Sequence, residues 1–245
     1  MIKRDSFKIE SNEMVANDVF EMKLMGDTSA IKAPGQFVNI SVPGVFLPRP
    51  ISVSDYDENS LDIFYKVVGK GTDIMSEMNP GENLTLLTGL GNGFDLNVPC
   101  RKPLLIGGGL GVAPLYKLAV ELKKRGKDAT IITGFKTEED VILDQKLNDL
   151  YFTYVALENN GKHRLVTDVF EHIPDMEQYD YFYACGPKPM LKAVCDSLDI
   201  DGEVSLEARM ACGIGQCKCC SVETEDGMKT LCKDGPVLKR GIVRW

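Results

Sequence analysis

Four cysteines near the end of the chain are spaced Cys212-x4-Cys217-x2-Cys220, then eleven residues, then Cys232. Thiolates bind soft metals, and three from one tight loop with a distant fourth is a spacing that holds a two-iron, two-sulfur cluster. Gly213 and Gly215 fall inside that loop, where they allow turns a Cβ would forbid and leave backbone N–H groups free to face sulfur. Zinc is the alternative reading, but zinc sites usually join two C-x2-C units or combine Cys with His. Only one C-x2-C is present, and the two histidines, His163 and His172, lie outside the motif, which also argues against a His-ligated two-iron centre. Cys219 is a fifth thiol in the loop, and its simpler reading is a non-ligating neighbour.

Three other constellations could bind a nucleotide. In Gly107-Gly108-Gly109-Leu110-Gly111-Val112-Ala113-Pro114 the glycines let backbone N–H groups approach a pyrophosphate at a helix start. The dinucleotide fingerprint is imperfect, because Pro114 takes the place of its third small residue and no acidic ribose ligand follows Gly134. A tight strand-to-helix connection would explain the same glycines. Cys185-Gly186-Pro187-Lys188-Pro189-Met190 is a second such turn, and ligands of open α/β sheets bind where strand carboxyl ends meet, so the two turns could share a crevice. By spacing alone Cys185 is a buried small side chain. The third group is Arg49-Pro50-Ile51-Ser52 with Gly69-Lys70-Gly71-Thr72: an Arg stiffened by Pro can pair with phosphate, and Gly71 and Thr72 can bring N–H groups and a hydroxyl to it. A solvated surface charge is the blander reading of Arg49.

The elements that must carry these residues change style twice. Over residues 1–99 the segments are short and strand-like, as in Val19 to Leu24, Phe37 to Val42 and the one-face series Leu61, Ile63, Tyr65 and Val67, with Pro-Gly turns between them. They predict an antiparallel β-barrel. Residues 100–198 alternate strand and helix, with strands at Leu104 to Ile106, Ala129 to Thr133, Phe152 to Ala156 and Tyr181 to Ala184, and helices over Val112 to Lys124, over Glu138 to Leu147 and from Lys188. That alternation predicts a parallel α/β sheet. Residues 199–245 are too few to bury a core unaided, which a metal centre would offset. The 245 residues carry a net charge of −8 without a basic stripe, which makes nucleic acid a poor partner. Nothing resembles a signal peptide or a membrane span, and eight cysteines without a secretion signal fit metal ligation in a reducing cytoplasm.

The order Arg-Pro-x-Ser, Gly-x-Gly-Thr, Gly-Gly-Gly-x-Gly-x-Ala-Pro, Cys-Gly-Pro-x-Pro-Met resembles the ferredoxin–NADP reductase superfamily. Glu207-Ala208-Arg209-Met210-Ala211-Cys212-Gly213-Ile214-Gly215-Gln216-Cys217 and Cys232-Lys233-Asp234-Gly235-Pro236-Val237 narrow the resemblance to the electron-transfer subunits of bacterial NAD-dependent dihydroorotate dehydrogenases. That resemblance covers essentially the whole chain. It implies FAD on a barrel, held by Arg49, Pro50, Ile51 and Ser52, by Phe64, Tyr65 and Lys66, and by Gly71 and Thr72. It implies NAD as co-substrate at Gly108, Gly109, Gly111, Cys185, Gly186 and Pro187, and a [2Fe-2S] cluster on Cys212, Cys217, Cys220 and Cys232. Ile51 stands where the superfamily has Tyr, so flavin stacking must come from elsewhere, Tyr65 being a candidate. It further implies a partner, an FMN-containing catalytic subunit that oxidises dihydroorotate, in a heterotetramer with two copies of each. The same parts would serve sibling subunits of a hydrogenase, a sulfite reductase or a ferredoxin-linked transhydrogenase; a zinc-stabilised nucleotide-binding module is the reading from another class.

Overall fold

The computed structural model describes residues 1–159 and 164–245, so His163 lies outside the described residues. Six strands close into a barrel: β1 (Lys3–Ala16), β2 (Val19–Met25), β3 (Phe37–Ser41), β4 (Arg49–Tyr56), β5 (Ser60–Lys66) and β6 (Asn83–Leu90). Their order is β1-β2-β5-β4-β3-β6, and every pairing is antiparallel. Closure follows from alternation. Leu61, Ile63 and Tyr65 of β5 point inward to Phe7, Met22, Leu24 and Ile40, whereas Phe64 faces outward into the core of the next layer. The short helix α1 (Lys70–Ser76) follows β5 and seals one side with Met75.

The second layer is a six-stranded sheet ordered β14-β11-β10-β7-β8-β9. Its parallel strands are β7 (Pro103–Gly108), β8 (Thr130–Phe135), β9 (Thr153–Leu157), β10 (Tyr181–Cys185) and β11 (Gly202–Ser205). Every residue of β7 and β10 is buried, as a strand covered on both faces requires. The helix α2 (Ala113–Lys124) buries Leu115, Leu118, Ala119 and Leu122 on one stripe, and α4 (Lys188–Ser197) buries Leu191, Val194 and Cys195. The helix expected over Glu138 to Leu147 is broken. A 3-10 turn covers Glu138–Asp140, and α3 spans only Asp144–Asn148. Asp140 Oδ2 accepts the Thr137 N–H and caps the start of the turn, which Val141 ends in extended conformation; Leu143 is left-handed, and Ile142 between them is buried.

The C-terminal residues are woven into this sheet. β11 is its fifth parallel strand, and β14 (Val237–Lys239) pairs antiparallel with β11 at the edge. The small hairpin β12 (Ser221–Thr224) and β13 (Gly227–Thr230) and the one-turn helix α5 (Leu231–Asp234) lie between. Leu206, Cys220, Leu231, Cys232 and Val243 share one core with Phe37 and Leu90 of the barrel and Ile106 and Phe182 of the sheet. Among the described residues no helix is long and apolar enough to cross a membrane.

Candidate functional site

Barrel, sheet and C-terminal segment meet around one cleft of about 370 Å³. β4 contributes Arg49, Pro50, Ile51 and Ser52, and β5 contributes Phe64, Tyr65 and Lys66. Thr72 comes from α1, Gly111 and Ala113 from the glycine-rich turn, Cys185 from the end of β10, and residues 205–208 with Met210 lead from β11 toward the cysteine loop. Three sequence segments far apart in the chain therefore share one wall.

Local packing explains several residue types. The Arg49 guanidinium lies on Gly71, where a Cβ would come within 2.3 Å of Nε, and its Nη1 donates to the Leu47 carbonyl at 2.6 Å. The Thr72 hydroxyl accepts the Val68 N–H at 2.9 Å and donates to the Gly69 carbonyl at 3.0 Å, so it shapes the loop. Lys66 reaches Asp140, 3.7 Å away. The Tyr65 ring is wholly buried, stacked on Phe20 with its hydroxyl donating to Asn12 Oδ1 at 2.8 Å, so what it offers the cleft is backbone. Cys185 is buried at the cleft floor. Burial first, and Glu207 second, push its thiol up to about 12, so it stays protonated. Glu207 is exposed as a residue, yet the cleft walls shield its carboxyl and raise its pKa.

The two glycine-containing turns do meet. A Cβ on Gly111 would lie 2.3 Å from the Cys185 carbonyl oxygen, and one on Gly108 would lie 2.4 Å from Met190 Sδ. Beyond Gly108, Gly109 and Pro187 a second cavity of about 530 Å³ opens over the carboxyl ends of β8 and β9, lined also by Lys136, Glu158 and Arg164. Gly186 belongs to the same turn, packed against Met190 and Gly108. Sequence reasoning missed Glu158 and Arg164, which carry no motif around them.

The cysteine loop is built for sulfur. Gly213 and Gly215 have φ of +71° and +81°, and the Gly215 N–H donates to Cys232 Sγ at 3.1 Å. The Cys217 N–H reaches Cys212 Sγ and the Cys232 N–H reaches Cys220 Sγ, each at 3.4 Å. Burial acts to raise the Cys212 thiol, but N–H groups of Cys217, Ile214 and Gln216 outweigh it and bring the thiol down to about 6. Cys232 is pushed up to about 12, first by burial and then by Cys220. Cys220 and Cys232 are buried and Cys217 and Cys219 are exposed. Among the described residues no three His, Cys, Asp or Glu side chains close into the tight shell of a single metal ion. The thiols instead face one another in two N–H-supported pairs, a donor set that suits a sulfur-bridged cluster.

Residues 207–244 match the model of the iron-sulfur cluster binding domain of dihydroorotate dehydrogenase B, and residues 105–196 match the oxidoreductase NAD-binding domain. The dihydroorotate dehydrogenase B (NAD(+)) electron transfer subunit of Fusobacterium nucleatum is 38% identical, with 96% of each chain covered. Its counterpart from a Geobacillus species is 39% identical over 99% of each. The chain belongs to this family. An NADH-dependent reduced ferredoxin-NADP oxidoreductase, solved in a study of flavin-based electron bifurcation, superposes with a TM-score of 0.89 at 28% identity, covering 98% of this chain and 90% of that one. The ferredoxin reductase of carbazole 1,9a-dioxygenase shares the fold, with a TM-score of 0.69 at 21% identity over 80% of this chain and 64% of its own. Membership makes this chain an electron-transfer, oxidoreductase component.

Proposed function

We propose that this chain carries electrons from an FMN-containing catalytic subunit to NAD+ in the cytoplasm, within a heterotetramer holding two copies of each. Residues 1–99 hold FAD, residues 100–198 hold NAD, and residues 199–245 hold a [2Fe-2S] cluster. The observation that supports this most is the shared cleft. The flavin motif Arg49–Ser52 and the nicotinamide turn at Cys185 face the same space into which Met210, two residues before the first cluster ligand, also projects.

When bound, FAD exchanges electron pairs with a nicotinamide and single electrons with an iron–sulfur centre, which is why all three belong in one chain. The residues' work is to bind, orient and exclude water. Arg49, fixed against Gly71, offers a guanidinium to a pyrophosphate, and Pro50 to Ser52 present strand backbone and a hydroxyl beside it. Gly108, Gly109 and Gly111 let backbone N–H groups approach a second nucleotide, and Gly186-Pro187 shapes its floor. Cys185, neutral and buried, offers an uncharged surface where the two nucleotides meet. Cys212, Cys217, Cys220 and Cys232 supply the thiolates.

Acid extraction of the anaerobically purified chain should release FAD, and iron and sulfide should each approach two per chain. FMN as the sole flavin, or zinc in a colourless protein, would overturn the reading. The likeness to the ferredoxin-NADP oxidoreductase favours one second reading, a sibling subunit of a transhydrogenase, and the identity of the co-purifying partner separates the two.

A further inference from the structure

One buried side chain stands between the flavin wall and the cysteine loop. Asn39, in the middle of β3, is only 2% exposed. Its register partner on one side is Pro50 of the flavin motif and on the other Leu87 of β6. Two residues earlier on the same face, Phe37 lines the cleft itself. The Asn39 amide donates to the Ala211 carbonyl at 3.3 Å, and Ala211 immediately precedes Cys212. A Cβ on Gly213 would lie 2.9 Å from Asn39 Nδ2, so the residue after Cys212 is also seated against this amide. The surroundings are otherwise apolar: Phe37, Leu87, Leu90, Met210 and Ile214 pack in one core.

The other half of the amide has no partner. Asn39 Oδ1 is a buried oxygen with no hydrogen bond. Reversing the amide would not help, because Oδ1 would then face the Ala211 carbonyl oxygen. An acceptor left unpaired in a buried interface is destabilising, and an apolar side chain of similar shape would remove that cost. Stability therefore does not account for an amide here. What the amide supplies is one directional bond, from the strand that pairs with the flavin motif to the carbonyl that opens the cluster loop.

We propose that Asn39 is a positioning residue, a strut that sets the distance and tilt of the cluster loop relative to the flavin strand. An apolar replacement would pack equally well but leave the loop without that directional tether. Electron passage between two centres depends steeply on their separation, so a loop that settles slightly differently loses rate without losing its ligands.

The inference rests on the proposed cluster and flavin sites, so the wild-type chain is the first control: absence of iron there sinks those assignments and not the strut. Asn39→Leu keeps the branched shape with the same number of heavy atoms, and Asn39→Ala adds no bulk, in case leucine is not accommodated. Both should retain iron and FAD and show unchanged reduction of FAD by NADH; Asn39→Leu should melt no lower than wild type, whereas Asn39→Ala leaves a cavity and melts somewhat lower. The electron paramagnetic resonance spectrum of the reduced cluster should change in both. Cluster reduction in stopped flow should be slower than wild type in both. Wild-type spectra and wild-type rates in both variants would overturn the proposal. So would loss of iron together with lower melting in both, which would make Asn39 a simple structural prop.

Discussion

Cys219 and Cys220 are adjacent and chemically identical, and the fold treats them oppositely. Cys220 is 1% exposed, in the core beside Leu231, with the Cys232 N–H on its sulfur, whereas Cys219 is exposed on the loop's outer side. Cys220→Ser should therefore abolish the cluster and Cys219→Ser should leave it, as iron content and electron paramagnetic resonance of the two variants will show. Asp62 offers a test of a different kind. Burial, and after it Asp55 and Glu21, raise its carboxyl to about 6 against the pull of Lys23 and Lys146, and its Oδ1 has no hydrogen bond. A carboxyl whose pKa is higher in the folded state loses stability as pH climbs from its ordinary value toward 6, because the unfolded chain ionises first. Asp62→Asn should then stabilise the protein at pH 8 by about 1–2 kcal/mol, discounted for partial exposure, with a smaller gain at pH 5. Melting curves of both proteins at the two pH values will check it; a gain that grows on acidification would refute the assignment.

At the scale of elements, the proposed flavin wall depends on two chain segments pressing together. Arg49 leaves β4 and rests on Gly71 at the start of α1, with no room for a methyl group between them. Gly71→Ala should displace the guanidinium and mimic Arg49→Ala. Each should weaken FAD retention by roughly 1.5–3 kcal/mol, the worth of a charge-assisted hydrogen bond, as measured by flavin release on dilution. Retention at the wild-type level in Arg49→Ala would remove Arg49 from the site. The barrel and the sheet are held in register by α2, where Lys117 bonds Asp55 at 2.8 Å and the Tyr56 carbonyl at 2.6 Å and sits over the Tyr56 ring. That clamp keeps the glycine-rich turn facing β4.

Across the whole molecule, the cluster loop is where a partner would receive or deliver electrons. Met210 and Ile214, apolar residues on either side of Cys212, turn inward: Met210 lines the cleft and both pack on the shared core. The exposed rim is instead residues 216–219. Dihydroorotate:NAD activity should appear only when this chain and a catalytic subunit are mixed. Lys218→Glu on the rim should weaken that association, measured by ultracentrifugation, while NADH reduction of FAD in this chain stays unchanged. Activity from this chain alone would contradict the division of labour.

The family, the fold class and the cofactor classes were legible in the residues alone. Thiol spacing, glycine-rich turns and Arg-Pro-x-Ser are local patterns, and local patterns survive without knowledge of the fold. Period-two alternation in Leu61, Ile63 and Tyr65 and the βαβ rhythm after Leu104 made barrel and parallel sheet legible for the same reason. Only the tertiary structure decided that β11 and β14 extend the sheet, since three- and four-residue strands acquire their identity from their neighbours. It also broke the helix after Glu138 to bury Ile142, turned Tyr65 into the barrel, and set Glu158 and Arg164, which no motif marks, at the cavity beyond the two glycine turns. Asn39 is the sharpest case: in sequence it is a polar residue between Val38 and Ile40. Its meaning depends on Ala211, 172 residues away, and long-range proximity is what one-dimensional spacing cannot encode.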